Sequence, residues 1–141
     1  MNYFQILAHG HDFDVDAFLR STSLRVGRVW RRNDPKGACA GSSHATSGVE
    51  IPLGNGLDIP FRQQESLAAE FLASNREALL TLAQAQGTQH RILGLQLRIE
   101  LSPTVSGFAV SISPKLSRLA LDLGFVPTVY VDLVRVTSVC A

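Results

Sequence analysis

The residues best equipped for chemistry sit close together near the N-terminus. His9, His11, Asp12, Asp14 and Asp16 fall in one short stretch. Imidazole and carboxylate groups ligate zinc or manganese-type metals, and an imidazole can move protons near neutral pH. The spacing favours plainer roles for most of them. His9 and His11 lie at a strand end and need not converge. Asp14 reads as a helix N-cap and Asp16 as a partner of the helix dipole. No distant pair with ligand spacing completes a set, because His44 and His90 stand alone. The expectation is therefore no metal, no cofactor and no catalytic residue.

A second group is basic. Arg20, Arg25, Arg28, Arg31, Arg32 and Lys36 surround Trp30, the only tryptophan. Arginine beside an aromatic ring can hold phosphate or stack on a nucleobase. It can equally meet an acidic patch on a protein, or simply snorkel along a solvated edge. The formal net charge is only +1, which supplies no global field for nucleic acid or an anionic membrane. The candidate binding residues are His9, His11, Asp12, Arg28, Trp30, Arg31 and Arg32. Other polar clusters carry less. Gly54-Asn55-Gly56 lacks the lysine and the strand-to-helix placement of a phosphate loop. Ser42, Ser43 and His44 lie in a loop without the strained elbow of a serine nucleophile. Asp132, mid-strand among apolar residues, fits either the solvent face or a pairing with an arginine such as Arg98.

The elements that must position these groups follow from periodicity. Tyr3 to Ala8 reads as a strand with Phe4, Ile6 and Ala8 on one face. Asp14 caps a short helix, and Phe13 and Phe18 have hydrophobic-staple spacing. Leu24 to Arg31 reads as a strand, and strand–helix–strand suggests a parallel crossover. Asn33 to Ser47 carries turn chemistry and is expected to be a mobile loop. Gly48 to Leu53 would pair with the preceding strand. Arg62 to Gln86 is helical, either continuous or broken at Ser74, which has capping-box spacing to Glu77. Arg91 to Leu101 alternates strictly, with leucine or isoleucine at every odd position from Leu93, so one face should meet the core and the other water. Phe108, Val110 and Ile112 suggest another strand. Ser113 caps a helix with Pro114 at its first position, Gly124 ends it, and Val126 to Val136 is the last strand.

At 141 residues with 45% hydrophobic and 18% charged residues, the chain fits one globular domain, residues 1–141. The fold expected is α+β, a mixed, mainly antiparallel sheet of about six strands with helices on one face. The first and last thirds look alike in plan, which suggests a pseudo-repeat of strand–helix–strand units. Two cysteines, Cys39 and Cys140, are expected as reduced thiols. With no basic leader and no long apolar run, the reading is a cytoplasmic protein that does not enter the membrane.

The layout resembles the bacterial family called domain of unknown function 4279. The residues that carry the likeness are Gly10-His11-Asp12-Phe13-Asp14 leading into a short helix, then Val29-Trp30-Arg31-Arg32. They continue with Leu79-Leu80-Leu82, Leu95-Leu97-Ile99, Gly107-Phe108, Ser113-Pro114 into Leu119-Leu123-Gly124, and Val131-Asp132-Leu133. Where the family pattern has a second tryptophan after Ser47-Gly48, this chain has Val49-Glu50. The resemblance implies an immunity-type protein that binds and neutralises a protein toxin, without catalysis. The contact surface would combine His9–Asp16 with Arg28–Lys36. Two readings from other classes stand beside it: a metal-dependent or acid/base enzyme using His9, His11 and Asp12, and a small-molecule or nucleic-acid binding module.

Overall fold

A computed structural model describes residues 1–37, 41–104 and 107–136. Cys39 and Cys140 lie outside the described residues, and so does the question of their redox state. The elements run β1 (Gln5–Gly10), α1 (Val15–Ser21), β2 (Arg28–Trp30), β3 (Ser47–Pro52), α2 (Phe61–Ser74), α3 (Arg76–Gln84), β4 (His90–Leu101), α4 (Pro114–Asp122) and β5 (Val126–Arg135).

The fold is α+β, with a mixed five-stranded sheet in the order β2-β3-β1-β4-β5. β1 pairs antiparallel with both β3 and β4, β2 pairs antiparallel with β3, and β4 pairs parallel with β5. Phe4, Ile6 and Ala8 are fully buried with Val49, Ile51, Leu93 and Leu95, all on one face of the sheet. That face packs against Phe18 of α1, Ala68 and Leu72 of α2, Leu79 and Leu82 of α3, and Leu116 and Ala120 of α4. No helix is long and apolar enough to cross a membrane among the described residues.

Local signals act as their chemistry requires. The Asp14 carboxylate accepts from the Ala17 amide at 3.0 Å, and Phe13 and Phe18 meet with ring centroids 6.0 Å apart. The Ser113 hydroxyl accepts from Leu116 N, with Pro114 opening α4. Helices α2 and α3 are separate, but not through the Ser74–Glu77 box. Asn75 stands between them without a side-chain cap and instead donates Nδ2 to Phe71 O at 3.0 Å.

Four expectations change. The sixth strand, at Phe108 to Ile112, does not form. Only Ile112 of that alternating trio packs against the core, Phe108 is half exposed, and the place beside β4 is taken by β5. The pseudo-repeat is not confirmed by the topology either: β3 lies between β1 and β2, whereas β4 and β5 are neighbours. β1 and β2 do point the same way, but the adjacent parallel crossover is β4–α4–β5. Strand β2 is shorter than its alternation suggests, since Pro52 stands opposite its upstream extension and has no N–H to continue the ladder. Finally, the side of β4 expected in water is covered at its middle: Gly94 and Gln96 are buried, and Leu97, Ile99 and Leu101 on the other side are only half-buried. The described part of Asn33–Ser47 is the expected hairpin loop, cross-linked by backbone hydrogen bonds. Asn33 N donates to His44 O at 2.8 Å, His44 N to Asp34 O at 2.9 Å, and Lys36 N to Ser42 O at 2.9 Å.

One buried amide closes a gap in the sheet. β4 outruns β1, whose pairing stops at Gln5 opposite Gly94. The next backbone groups of β4 on that side belong to Gln96. Gln64 of α2, fully buried, supplies what the missing strand would: its Oε1 accepts from Gln96 N at 2.8 Å and its Nε2 donates to Gln96 O at 2.8 Å. The same Nε2 lies 2.9 Å from Gly56 O and 2.8 Å from Ile59 O, so it also ties down the turn before α2. A Gln64→Leu substitution keeps the bulk and strands both Gln96 backbone groups. Each buried unsatisfied group costs about 1–3 kcal/mol, so equilibrium urea unfolding should show a loss of about 2–6 kcal/mol with an unchanged denaturant slope.

Candidate functional site

The structure divides the sequence-predicted residues between two adjoining places. His11, Asp12, Arg31 and Arg32 meet at the end of the sheet, beside the N-terminus of α1. His9, Arg28 and Trp30 stand on the sheet face that none of the described helices covers.

At the sheet end, the His11–Asp12 turn is clamped against the α3–β4 turn. A Cβ on Gly87, whose φ is +85°, would lie 2.1 Å from Asp12 O, so only glycine permits the approach. His11 N donates to Gln89 Oε1 at 3.0 Å. The arginines arrive from the far end of β2, held by Arg32 N donating to Ser47 Oγ at 2.9 Å. Their charges are already matched. Arg31 grips both carboxylate oxygens of Asp16 through Nε and Nη2. That hydrogen-bonded contact, more than simple charge proximity, holds the Asp16 carboxyl below the usual range and raises Arg31. Arg32 Nη1 reaches the His11 ring at 2.7 Å, His11 O at 3.2 Å and Asp12 Oδ1 at 3.3 Å. The basic run is therefore a mixed patch in which Asp12, Asp14, Asp16 and Asp34 surround two arginines. The hollow between them, about 370 Å³, is lined by His11, Asp12, Asp14, Asp16, Arg31 and Arg32. His11 and Asp12 are 3.1 Å apart but largely solvent-exposed, so their pairing is made in water and not in a closed cleft.

The open face is built by strand parity. Tyr3, Gln5, Leu7 and His9 alternate with the buried residues of β1. His90, Gly94 and Gln96 on β4, Glu50 on β3 and Tyr130 on β5 fall on the same side by register. Trp30 lies flat on Gly48, where a Cβ would stand 2.2 Å from the indole. Around it are the His44 ring at 5.9 Å, the His9 ring at 6.4 Å and the Arg28 guanidinium at 5.5 Å from its centroid. His9 in turn stacks on His90 at 4.7 Å. At the other end of the face Tyr3 and Tyr130 stack at 4.4 Å. Two shallow hollows, of about 280 and 470 Å³, share Leu7, Arg28 and Glu50 and run from Trp30 to Tyr130. Arg28 and Glu50 face each other across this trough at 3.4 Å.

Sequence reasoning did not bring His44, His90, Tyr3, Tyr130 or Glu50 to this face. Parity within β1 was a usable signal for Tyr3 and His9, but their neighbours depend on strand order. His9 and His11 point into different environments. No three His, Cys, Asp or Glu side chains come together as metal ligands among the described residues. Of the two roles expected for Asp132, the structure places it on the open face by parity, half-buried, where it accepts from Gln96 Nε2 at 2.6 Å.

No protein-family model, curated protein or solved structure matches the chain.

Burial lowers the pKa of His9, and repulsion from His90 adds to it. Its Nδ1 is buried without a hydrogen-bond partner among the described residues. The unfolded chain then takes up a proton near the ordinary value of 6.5 before the folded chain does. Stability should be flat above pH 7 and fall as pH drops through 6.5 toward the lowered folded value. Urea midpoints across pH 5–8 check this. His9→Phe preserves the stack and should flatten the acid side of the profile; an equally steep fall in that variant would remove His9 as the cause.

Proposed function

We propose that this chain is a non-catalytic protein-binding domain of the toxin-neutralising type, acting in the cytoplasm through the open sheet face. The observation that carries the reading is the composition of that face. A tryptophan, two tyrosines, three histidines and an arginine lie half-buried or exposed on or beside the sheet face that the described helices leave uncovered. Trp, Tyr and Arg dominate the residues that supply binding energy at protein interfaces, and a centre of this kind works best inside a polar rim. The matched charges of Asp12, Asp16, Arg31 and Arg32 form such a rim on the side of Trp30. Paired charges contribute orientation and exclusion of wrong partners more than raw affinity. The resemblance to the domain of unknown function 4279 family points the same way.

The test is neutralisation. The chain is co-expressed with the protein toxins of its source cell, and growth is scored for wild type, Trp30→Ala and Arg28→Glu. Wild type should protect against one toxin and bind it stoichiometrically. Removing a central tryptophan commonly costs 2 kcal/mol or more, so Trp30→Ala should weaken the complex by at least about 30-fold with its urea midpoint nearly unchanged. Undiminished affinity in both variants would exclude the open face. Absence of any neutralised toxin or stoichiometric protein partner would overturn the binding-protein reading itself.

A further inference from the structure

We propose that β5 is a homodimer interface, at which two copies pair their β5 strands antiparallel about a two-fold axis through Val131. The two five-stranded sheets would join into one continuous sheet. This assignment is independent of what the open face binds.

The argument begins with the edges of the sheet. One edge is β2, three residues long, capped by Arg28 and ended by the Pro52 position, which blunts it. The other is β5, ten residues long. Its register with β4 runs without a bulge from Val126 to Arg135. Natural edge strands are protected by shortness, lysine, proline, bulges or a covering element. The Val129–Leu133 segment contains no lysine and no proline, and no described element pairs with its outer side. On the helix side of the sheet, Val131 is 38% and Leu133 55% exposed. A long edge without a bulge, with Val131 and Leu133 exposed, calls for a partner strand.

Backbone parity says which groups are free. Val136 N donates to Leu101 O, and Gln96 turns its own N–H and C=O away from β5 toward Gln64. Odd-numbered residues of β4 therefore serve β5, and even-numbered residues of β5 serve β4. The N–H and C=O groups of Val129, Val131 and Leu133 point outward. Pro127, also odd, places its missing N–H on this outer edge, where it costs the sheet nothing.

The pattern fits a second copy of itself. With Val131 opposite Val131 of the second copy, Val129 meets Leu133 of that copy and Leu133 meets its Val129. About six backbone hydrogen bonds would close the free edge. On the open face Tyr130 stands opposite Asp132 of the second copy, and the reverse, so no like charges meet. Sliding one strand by two residues toward the C-terminus sets Asp132 against Asp132 of the second copy and Val129 against its Arg135, which opposes like charges and loses part of the apolar match. A two-fold interface must be self-complementary, and this register is. Facing residues of an antiparallel pair share a side, so both open faces would look the same way.

Light scattering coupled to gel filtration on the full chain tests it. Wild type should run at twice the chain mass at high micromolar concentration. Val131→Pro removes an N–H that the monomer does not use, so it should run as a monomer with unchanged circular dichroism. Should that variant fail to fold, Val131→Lys serves the same purpose on the exposed side chain. Amide exchange gives a second readout: the Val129, Val131 and Leu133 amides should be protected in the concentrated protein and lose protection on dilution, while those of Tyr130 and Asp132 stay protected. A wild-type monomer at high concentration, or a dimer that survives Val131→Pro or Val131→Lys, would overturn the proposal.

Discussion

A strand that outruns its neighbour leaves backbone groups without partners, and in a buried position that is costly. Here β4 outruns β1 at Gln96, and the Gln64 amide fills the vacancy with an acceptor and a donor placed as a peptide would place them. The consequences spread outward. α2 is fixed over the sheet, the Gly56–Ile59 turn is drawn in, and the next residue of α2, Glu65, is set to receive Ser113 N at 2.7 Å. That contact anchors the start of α4, whose end delivers the chain to β5. The Gln96 side chain, on the opposite face, then gathers Tyr3 N, Met1 O and Asp132.

Because the four described helices are committed to one face, the other face is shaped mainly by strand register. A glycine at position 48 lets Trp30 lie down on the sheet, and the histidines settle around it. Rigidity here comes from the backbone ladder beneath, so aromatic side chains are presented with little conformational freedom left to lose on binding. The neighbouring sheet end has a different logic. Its arginines are satisfied internally by Asp16 and by His11 and Asp12, which turns an apparently basic run into a balanced rim. The protein is thus polar and specific at the edge, and aromatic at the centre.

Much of the local structure was legible in the residues. The Asp14 and Ser113 caps, the Phe13–Phe18 staple, the Pro114 start and the Gly124 stop depend on neighbours within a turn, and those interactions travel with the sequence. Alternation announced the buried side chains of β1 and, in β4, Leu93 and Leu95, but Gly94 and Gln96, expected in water, are buried as well. The misreadings share one cause. Phe108, Val110 and Ile112 alternate like a strand, and Gly94 and Gln96 alternate like residues facing water, yet pairing and covering partners decide both, and those partners lie far away in sequence.

The sequence by itself determined the α+β class, most element positions and the core face, because periodicity and capping are short-range properties. It also singled out His9, His11, Asp12, Arg28, Trp30, Arg31 and Arg32. Only the tertiary structure decided that these form two groups, that His44, His90 and the tyrosine pair join one of them, and that Asp16 neutralises Arg31. Strand order is set by long-range hydrogen bonds and by which edge remains free, and neither quantity is written in any local window of the chain.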